Sequence, residues 1–93
     1  MKTYTVKIES GVQIRIENMK IYDGLISYLD KSKDVKYIKK AMTFETPISD
    51  YEYKDIPFSV LFDEMCDETF VFVEKLYDYR LIEQLLHKFD IIN

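Results

Sequence analysis

Glycine and proline are scarce in this 93-residue chain, which has two of each, together with one cysteine, one histidine and no tryptophan. Two glycines are too few for a phosphate-binding loop, in which several glycines bring backbone N–H groups close to the ligand. One cysteine cannot form an internal disulfide, and it favours a reducing compartment. Cysteine and histidine together supply two ligands, whereas a structural zinc site needs about four. The sequence therefore argues against nucleotide hydrolysis, a disulfide scaffold and structural zinc.

Long apolar runs are also missing. The first residues, MKTYTVKIESG, lack the apolar stretch of about 7 to 15 residues that a secretory signal needs, and no run approaches the roughly 20 residues of a membrane span. We expect a cytoplasmic protein that does not associate with membranes. With 47% hydrophobic and 32% charged residues, the composition is that of a packed globular chain. The length predicts a single domain, residues 1–93.

Alternation of apolar and polar residues is the clearest structural signal near the start of the chain. In TYTVKIE and VQIRIE, which lie on either side of Ser10 and Gly11, every second residue is apolar. This pattern predicts a β-hairpin with one solvent-exposed face. The residues of its apolar face are Tyr4, Val6, Ile8, Val12, Ile14 and Ile16.

Two segments have the apolar spacing of a helix. Tyr22, Leu25, Ile26 and Leu29 predict a short helix that ends near Asp30, with Asn18 or Asp23 as its N-cap. From residue 78 onward, a continuous stripe predicts an amphipathic C-terminal helix. Its members are Leu81, Ile82, Leu85, Leu86 and Phe89.

The segments between these helices are harder to assign. Residues 35–45 fit both helix and strand spacing, and we favour an edge strand because lysines at an edge discourage sheet-to-sheet aggregation. Residues 48–55 are predicted to be a loop. Phe58, Leu61, Phe62 and Met65 have helical spacing behind Asp55 and Pro57, which favours a second short helix, with FSVLF as a strand and DEMCDE as its turn as the alternative. Residues 69–76, apolar on both faces, predict an interior strand.

Together these elements predict an α+β fold. We expect a small, mostly antiparallel sheet that begins with an N-terminal β-hairpin, with helices packed on one face and a C-terminal amphipathic helix.

Charge is distributed unevenly along the chain. Residues 1–40 contain nine basic and five acidic residues, whereas residues 41–74 contain one basic and nine acidic residues. The isoelectric point near 4.9 argues against direct nucleic-acid binding. We predict instead that the acidic segment binds a basic protein surface, with two tyrosines as aromatic anchors. The predicted partner-binding residues are Glu45, Asp50, Tyr51, Glu52, Tyr53, Asp55, Asp63, Glu64, Asp67 and Glu68.

Several alternatives remain open for the same residues. The acids are a solvated surface in the simplest interpretation. In a homodimer or structural subunit, the lysine-rich residues 31–40 of one copy would meet the acidic segment of another. In a small metal-dependent domain, the acids would bind a hard cation, although they lack the spacing of an EF-hand. Cys66 and His87 form a conceivable nucleophile and base without a supporting motif. The sequence implies no cofactor.

The stretches ETPISDYEYKD and DEMCDE resemble, in their acidic character, the small inhibitors that phages and other mobile elements encode, such as anti-CRISPR proteins and DNA-mimic inhibitors. The resemblance implies a non-catalytic protein that occupies the nucleic-acid-binding groove of a nucleic-acid-processing complex. Since residues 1–40 carry a net charge of +4, we expect a binder with one acidic face rather than a uniformly acidic mimic.

Overall fold

The computed structural model of the chain describes residues 3–16, 21–43, 46–65, 68–75 and 77–92. Its six strands form one antiparallel sheet with the order β1-β2-β6-β5-β4-β3. The chain therefore has the α+β fold that its sequence predicts. In sequence order, the elements are β1 (Thr3–Ile8), β2 (Gly11–Ile16), α1 (Ile21–Lys31), β3 (Val35–Thr43), β4 (Thr46–Tyr53), β5 (Ile56–Asp63), β6 (Glu68–Val73) and α2 (Tyr79–Ile92).

Both helices pack on the same face of the sheet and enclose the hydrophobic core. Alternate residues of each strand point to this face, as the pleat of a strand requires. From β2 these are Val12, Ile14 and Ile16, all at most 1% exposed. The two helices meet where the rings of Tyr28 and Phe89 lie 5.3 Å apart. In the part of the chain that the structure describes, no helix is long and apolar enough to cross a membrane.

The predicted hairpin is present, but its two strands do not share one apolar face. Ile8 pairs with Gly11 across a two-residue turn, and Tyr4 pairs with Arg15. Since paired residues lie on the same face of a sheet, the apolar residues of β1 point away from the helices, whereas those of β2 point toward them. The prediction of a single apolar face was therefore wrong, because an even-numbered turn sets the opposite register.

The predictions for residues 48–65 were also wrong. Residues 48–53 lie in β4 rather than in a loop, and residues 56–63 form β5 rather than a helix. Lys54 and Asp55 join the two strands with φ angles of 52° and 66°, the positive values of a type I′ hairpin turn. The alternative that made FSVLF a strand is the correct one, and Glu64 and Met65 form a turn after it. Asp55 and Pro57 therefore mark a hairpin turn, not the start of a helix.

The other elements follow their predictions. β3 is an edge strand, β6 lies inside the sheet, and α1 and α2 cover the two predicted amphipathic segments. Asp23 lies in the first turn of α1 rather than at its N-cap, and Asn18 lies outside the described residues. The helices cover one face of β6, and the residues on its other face are half-buried. The prediction that both faces of β6 are covered was therefore correct for one face.

Candidate functional site

The face of the sheet opposite the helices, which we call the open face, carries charged side chains beside aromatic ones. Strand register places its side chains in rows that cross all six strands. One row, next to the Asp63–Glu68 pair at the β5–β6 turn, is mostly apolar and contains Tyr4, Arg15, Phe70, Leu61 and Ile48. The middle row contains Val6, Gln13, Phe72, Ser59, Asp50 and Lys39.

Arg15 organises the first of these rows. Its guanidinium lies 4.4 Å from the centre of the Phe70 ring, and its Nε donates a 2.7 Å hydrogen bond to Oε2 of Glu68. A second guanidinium nitrogen lies 3.7 Å from Oδ2 of Asp63. Tyr4 donates its hydroxyl to the same Glu68 carboxylate at 2.9 Å. We call these five residues the Arg15 cluster.

The Arg15 cluster limits how freely Asp63 and Glu68, two of the predicted partner-binding residues, can bind another protein. The hydrogen bonds from Arg15 and Tyr4 hold the pKa of Glu68 below its usual value, and the bond to Glu68 in turn raises the pKa of Tyr4. Asp63 also accepts a hydrogen bond from the backbone N–H of Met65, at 3.0 Å. Both carboxylates are thus engaged within the chain, so a basic partner would have to compete with Arg15 for them.

A groove with a volume of about 290 Å³ lies at the other end of the open face. Phe72 and Pro57 provide an apolar floor, and Ile38 approaches from β3, where the register shift between Tyr37 and Lys39 marks a bulge. Three carboxylates surround this floor. We call it the acidic groove, and its open-face lining is Ile38, Asp50, Glu52, Pro57, Ser59, Phe72 and Glu74.

Strand pairing sets the positions of the three carboxylates of the acidic groove. The hydroxyl of Ser59 donates a 2.6 Å hydrogen bond to Oδ1 of Asp50, its neighbour on the adjacent strand. Glu52 pairs with Pro57, and Glu74 follows directly after β6 on the other side of β5. Two strand spacings therefore separate the backbones of Glu52 and Glu74, a distance of about 10 Å. A cation above Pro57 would lie between two carboxylates.

Lysines form the outer border of the acidic groove. Lys36 pairs with Glu52 and Lys39 with Asp50 across the β3–β4 ladder. Opposite charges in register attract each other, so these lysines partly offset the negative potential on the β3 side. Glu74, which lies two strands further in, lines a second recess together with Lys7 and Lys75, and its charge attracts that of Lys75. Lysines therefore lie on both sides of the acidic groove and partly offset its negative charge.

The two predicted aromatic anchors do not lie on this face. Tyr51 and Tyr53 alternate with Asp50 and Glu52 along β4, so they point into the core, where they are 1% and 3% exposed. The Tyr51 hydroxyl donates to Oδ1 of Asp30 on α1 at 3.0 Å, and burial together with this bond raises the pKa of Tyr51. Because side chains alternate along a strand, the tyrosines and the acids of β4 lie on opposite faces of the sheet. The prediction that Tyr51 and Tyr53 are aromatic anchors for a partner protein was therefore wrong.

The remaining predicted residues are scattered. Asp55 and Glu64 are exposed at the two opposite turns of β5, an eight-residue strand, and so lie about 25 Å apart. Glu45 and Asp67 lie outside the described residues. Of the ten predicted residues, the structure brings Asp50 and Glu52 together in the acidic groove and holds Asp63 and Glu68 in the Arg15 cluster.

Five groove residues were missed from the sequence: Ile38, Pro57, Ser59, Phe72 and Glu74. The signal for Phe72 was available, because residues 70–73 predict a strand and alternation places Phe72 on the face opposite Val71 and Val73. Glu74 could be assigned to the groove only if the pairing of β6 with β5 was known. Ile38 reaches the groove because of the bulge in β3, and no local sequence pattern predicts that bulge.

The described residues give little support for a metal site or for a catalytic pair formed by Cys66 and His87. Within the described ranges, no three His, Cys, Asp or Glu side chains lie close enough together to hold a metal ion. His87 is exposed on α2, and Cys66 lies outside those ranges. The acidic groove therefore stands as the candidate site. No protein-family model matches the chain, and no curated protein or solved structure shows significant similarity to it.

Proposed function

We propose that the protein is a non-enzymatic inhibitor or adaptor that binds a basic surface of a partner protein through the open face of its sheet. The observation that carries this proposal is the convergence of Asp50, Glu52 and Glu74 on an apolar floor. A lysine or arginine side chain needs these two features together, since its methylene stem packs on apolar surface while its charged end meets a carboxylate.

The groove geometry supports one binding mode in particular. A basic side chain that enters above Pro57 lays its stem against Phe72 and places its charge between Glu52 and Glu74. The hydrogen bond from Ser59 fixes the orientation of Asp50 before binding, which reduces the entropy that binding costs. The neighbouring apolar row, with Phe70 and Leu61, offers further contact area beside the groove. The site is thus suited to a basic partner with some apolar surface.

A narrower form of the proposal follows from the resemblance in acidic character to anti-CRISPR and DNA-mimic inhibitors. In this form, the partner surface is the nucleic-acid-binding groove of a nucleic-acid-processing complex, and the carboxylates occupy positions that phosphates would take. Such a protein would act in the cytoplasm and would bind no nucleic acid itself. Only the acidic groove would mimic phosphates, because Arg15 engages the carboxylates of Asp63 and Glu68 at the other end of the face.

The first experiment measures binding of a labelled lysine- and arginine-rich peptide to matched variants by fluorescence anisotropy. The groove variant carries Asp50→Asn, Glu52→Gln and Glu74→Gln. The control variant removes the same charge from exposed acids outside the groove, with Asp34→Asn, Asp55→Asn and Glu64→Gln. Exposed ion pairs contribute about 0.2–1 kcal/mol each, so we expect the loss of three carboxylates to weaken binding by between about threefold and about 150-fold.

The control variant should bind as the wild-type protein does, and higher salt should weaken binding in both. Equal losses in the two variants would show that net charge alone attracts the peptide, which would refute the groove as the site. Binding that salt does not change would refute electrostatic docking. For the narrower form, the wild-type protein should displace nucleic acid from a nucleic-acid-processing complex, and the groove variant should not.

A further inference from the structure

The two edges of the sheet differ in their protection against another strand. β3 carries Lys36, Lys39 and Lys40 and contains a bulge, both of which hinder strand addition. β1, at the opposite edge, pairs with β2 at all six positions without a bulge, and Lys7 is its one charged residue. β1 is therefore a regular edge that is much less protected than β3.

The side chains of β1 suit a strand that pairs on both sides. Threonine, tyrosine, valine and isoleucine are among the residues most favoured in strands, and they make up five of its six positions. On the open face, Tyr4 is 40% and Ile8 is 37% exposed, with the half-buried Val6 between them. These three side chains form an apolar stripe along the edge, and a further strand would cover it.

We propose that β1 pairs antiparallel with β1 of a second copy of this chain, with Val6 of one copy opposite Val6 of the other. A two-fold axis perpendicular to the sheet keeps the helices of both copies on the same side, which requires paired residues to have the same face. In this register, Tyr4 of each copy lies opposite Ile8 of the other. The two apolar stripes then merge into one, and the two sheets become continuous.

Neighbouring registers are less favourable. Centring the pair on Lys7 would place two lysines directly opposite each other, which is destabilising. Centring it on Thr5 would leave Ile8 beyond the end of the partner strand, since β1 begins at Thr3. The Val6 register is therefore the one that covers all three apolar side chains.

The residue pattern of β1 favours a second copy over an unrelated strand, because in the Val6 register the apolar residues of the two copies meet and Lys7, its one charged residue, does not face another lysine. Thr3 lies beside Glu83 and His87 of α2, with which it lines a small recess. In the Val6 register, Lys7 of the second copy lies opposite Thr5 and diagonal to Thr3, about 7–8 Å away along the ladder. Glu9 of the second copy lies directly opposite Thr3, so that both a lysine and a glutamate of the second copy face the recess beside Glu83 and His87.

Sedimentation velocity over a range of protein concentrations tests the proposal. The wild-type protein should show a reversible monomer–dimer equilibrium. Val6→Lys and Val6→Glu should each weaken the dimer about tenfold or more, because each places like charges opposite one another at the axis. A mixture of the two variants should dimerise again, since lysine then lies opposite glutamate. This rescue identifies residue 6 as the residue at the axis.

The matched control is Ile38→Lys, which places the same charge on an exposed apolar residue near the other edge, and it should leave the dimer unchanged. Melting curves followed by circular dichroism establish that each variant is folded. A wild-type protein that remains monomeric at its highest soluble concentration would overturn the proposal. So would a mixture of the two Val6 variants that fails to associate although both are folded. The test involves no basic partner, so its outcome is independent of the proposed function.

Discussion

Replacing Gly11 with alanine should destabilise the protein, because the added methyl group has no space. A Cβ atom at this position would lie 2.6 Å from the carbonyl oxygen of Val73 and 2.8 Å from Cζ of Phe72. Favourable carbon–carbon contacts are about 3.5–4.0 Å, so the methyl group would overlap the Phe72 ring by roughly 0.7–1.2 Å. The carbonyl belongs to the β2–β6 ladder and cannot move without disturbing it.

Overpacking of this kind costs about 1–3 kcal/mol. For a domain of this size, each kcal/mol lowers the melting temperature by about 4–8 °C, so we expect a decrease of roughly 5–20 °C. Differential scanning calorimetry measures the decrease directly. Since the Phe72 ring forms the floor of the acidic groove, the same substitution should also weaken binding of the basic peptide.

Gly24→Ala provides the matched control. In α1, a Cβ atom at residue 24 would meet Cζ of Phe89 at 3.7 Å, an ordinary contact. Alanine is favoured over glycine in a helix by about 0.5–1 kcal/mol, so this variant should melt at a higher temperature than the wild-type protein. If Gly11→Ala were as stable as Gly24→Ala, the close packing of Phe72 over Gly11 would be wrong.

Two further substitutions test other parts of the structure. Asp55→Gly should raise stability by about 0.5–1 kcal/mol in urea denaturation, because glycine adopts positive φ without the cost that aspartate bears, and it should leave peptide binding unchanged; a loss of stability would refute the type I′ turn. Tyr51→Phe should cost about 1–2 kcal/mol at neutral pH through the lost bond to Asp30. Because the pKa of Tyr51 is raised in the folded state, its contribution is fully present below pH 10 and falls as the pH rises above 10, so the wild-type and variant stabilities should converge in alkaline solution; a difference independent of pH would contradict this.

Periodicity was sufficient to predict the elements whose two faces differ clearly. The stripes of α1 and α2 and the alternation of β1 and β2 were read correctly, because one face of each contains mainly apolar residues. The relative orientation of β1 and β2 was not predicted, since it depends on whether the turn contains an even or odd number of residues. Two residues in that turn were enough to place the two apolar faces on opposite sides of the sheet.

β4 and β5 were misread for a different reason. In β5, Phe58 and Val60 point to the core while Leu61 points to the open face, and apolar residues on both faces satisfy helical and strand spacing alike. In β4, the alternation of Tyr51 and Tyr53 with Asp50 and Glu52 is a strand pattern. The high density of charged residues in this segment favoured a loop instead. The two tyrosines were therefore assigned to a binding surface rather than to the core. The composition of the acidic groove was thus predictable only in part, because its residues come from four strands brought together by long-range pairing.

The strand order also has a consequence for how the chain folds. Strands β3 to β6 each pair with the next strand in sequence, so their contacts close short loops, whereas β2 pairs with β6 from the far end of the chain, as in Ile14 with Val71. Closing the longer loop costs more chain entropy. We infer that the four-stranded meander forms in the transition state and that the hairpin docks afterwards. Stopped-flow kinetics should then give a φ-value near zero for Ile14→Val and a clearly higher one for Val60→Ala, and the reverse order would contradict late docking.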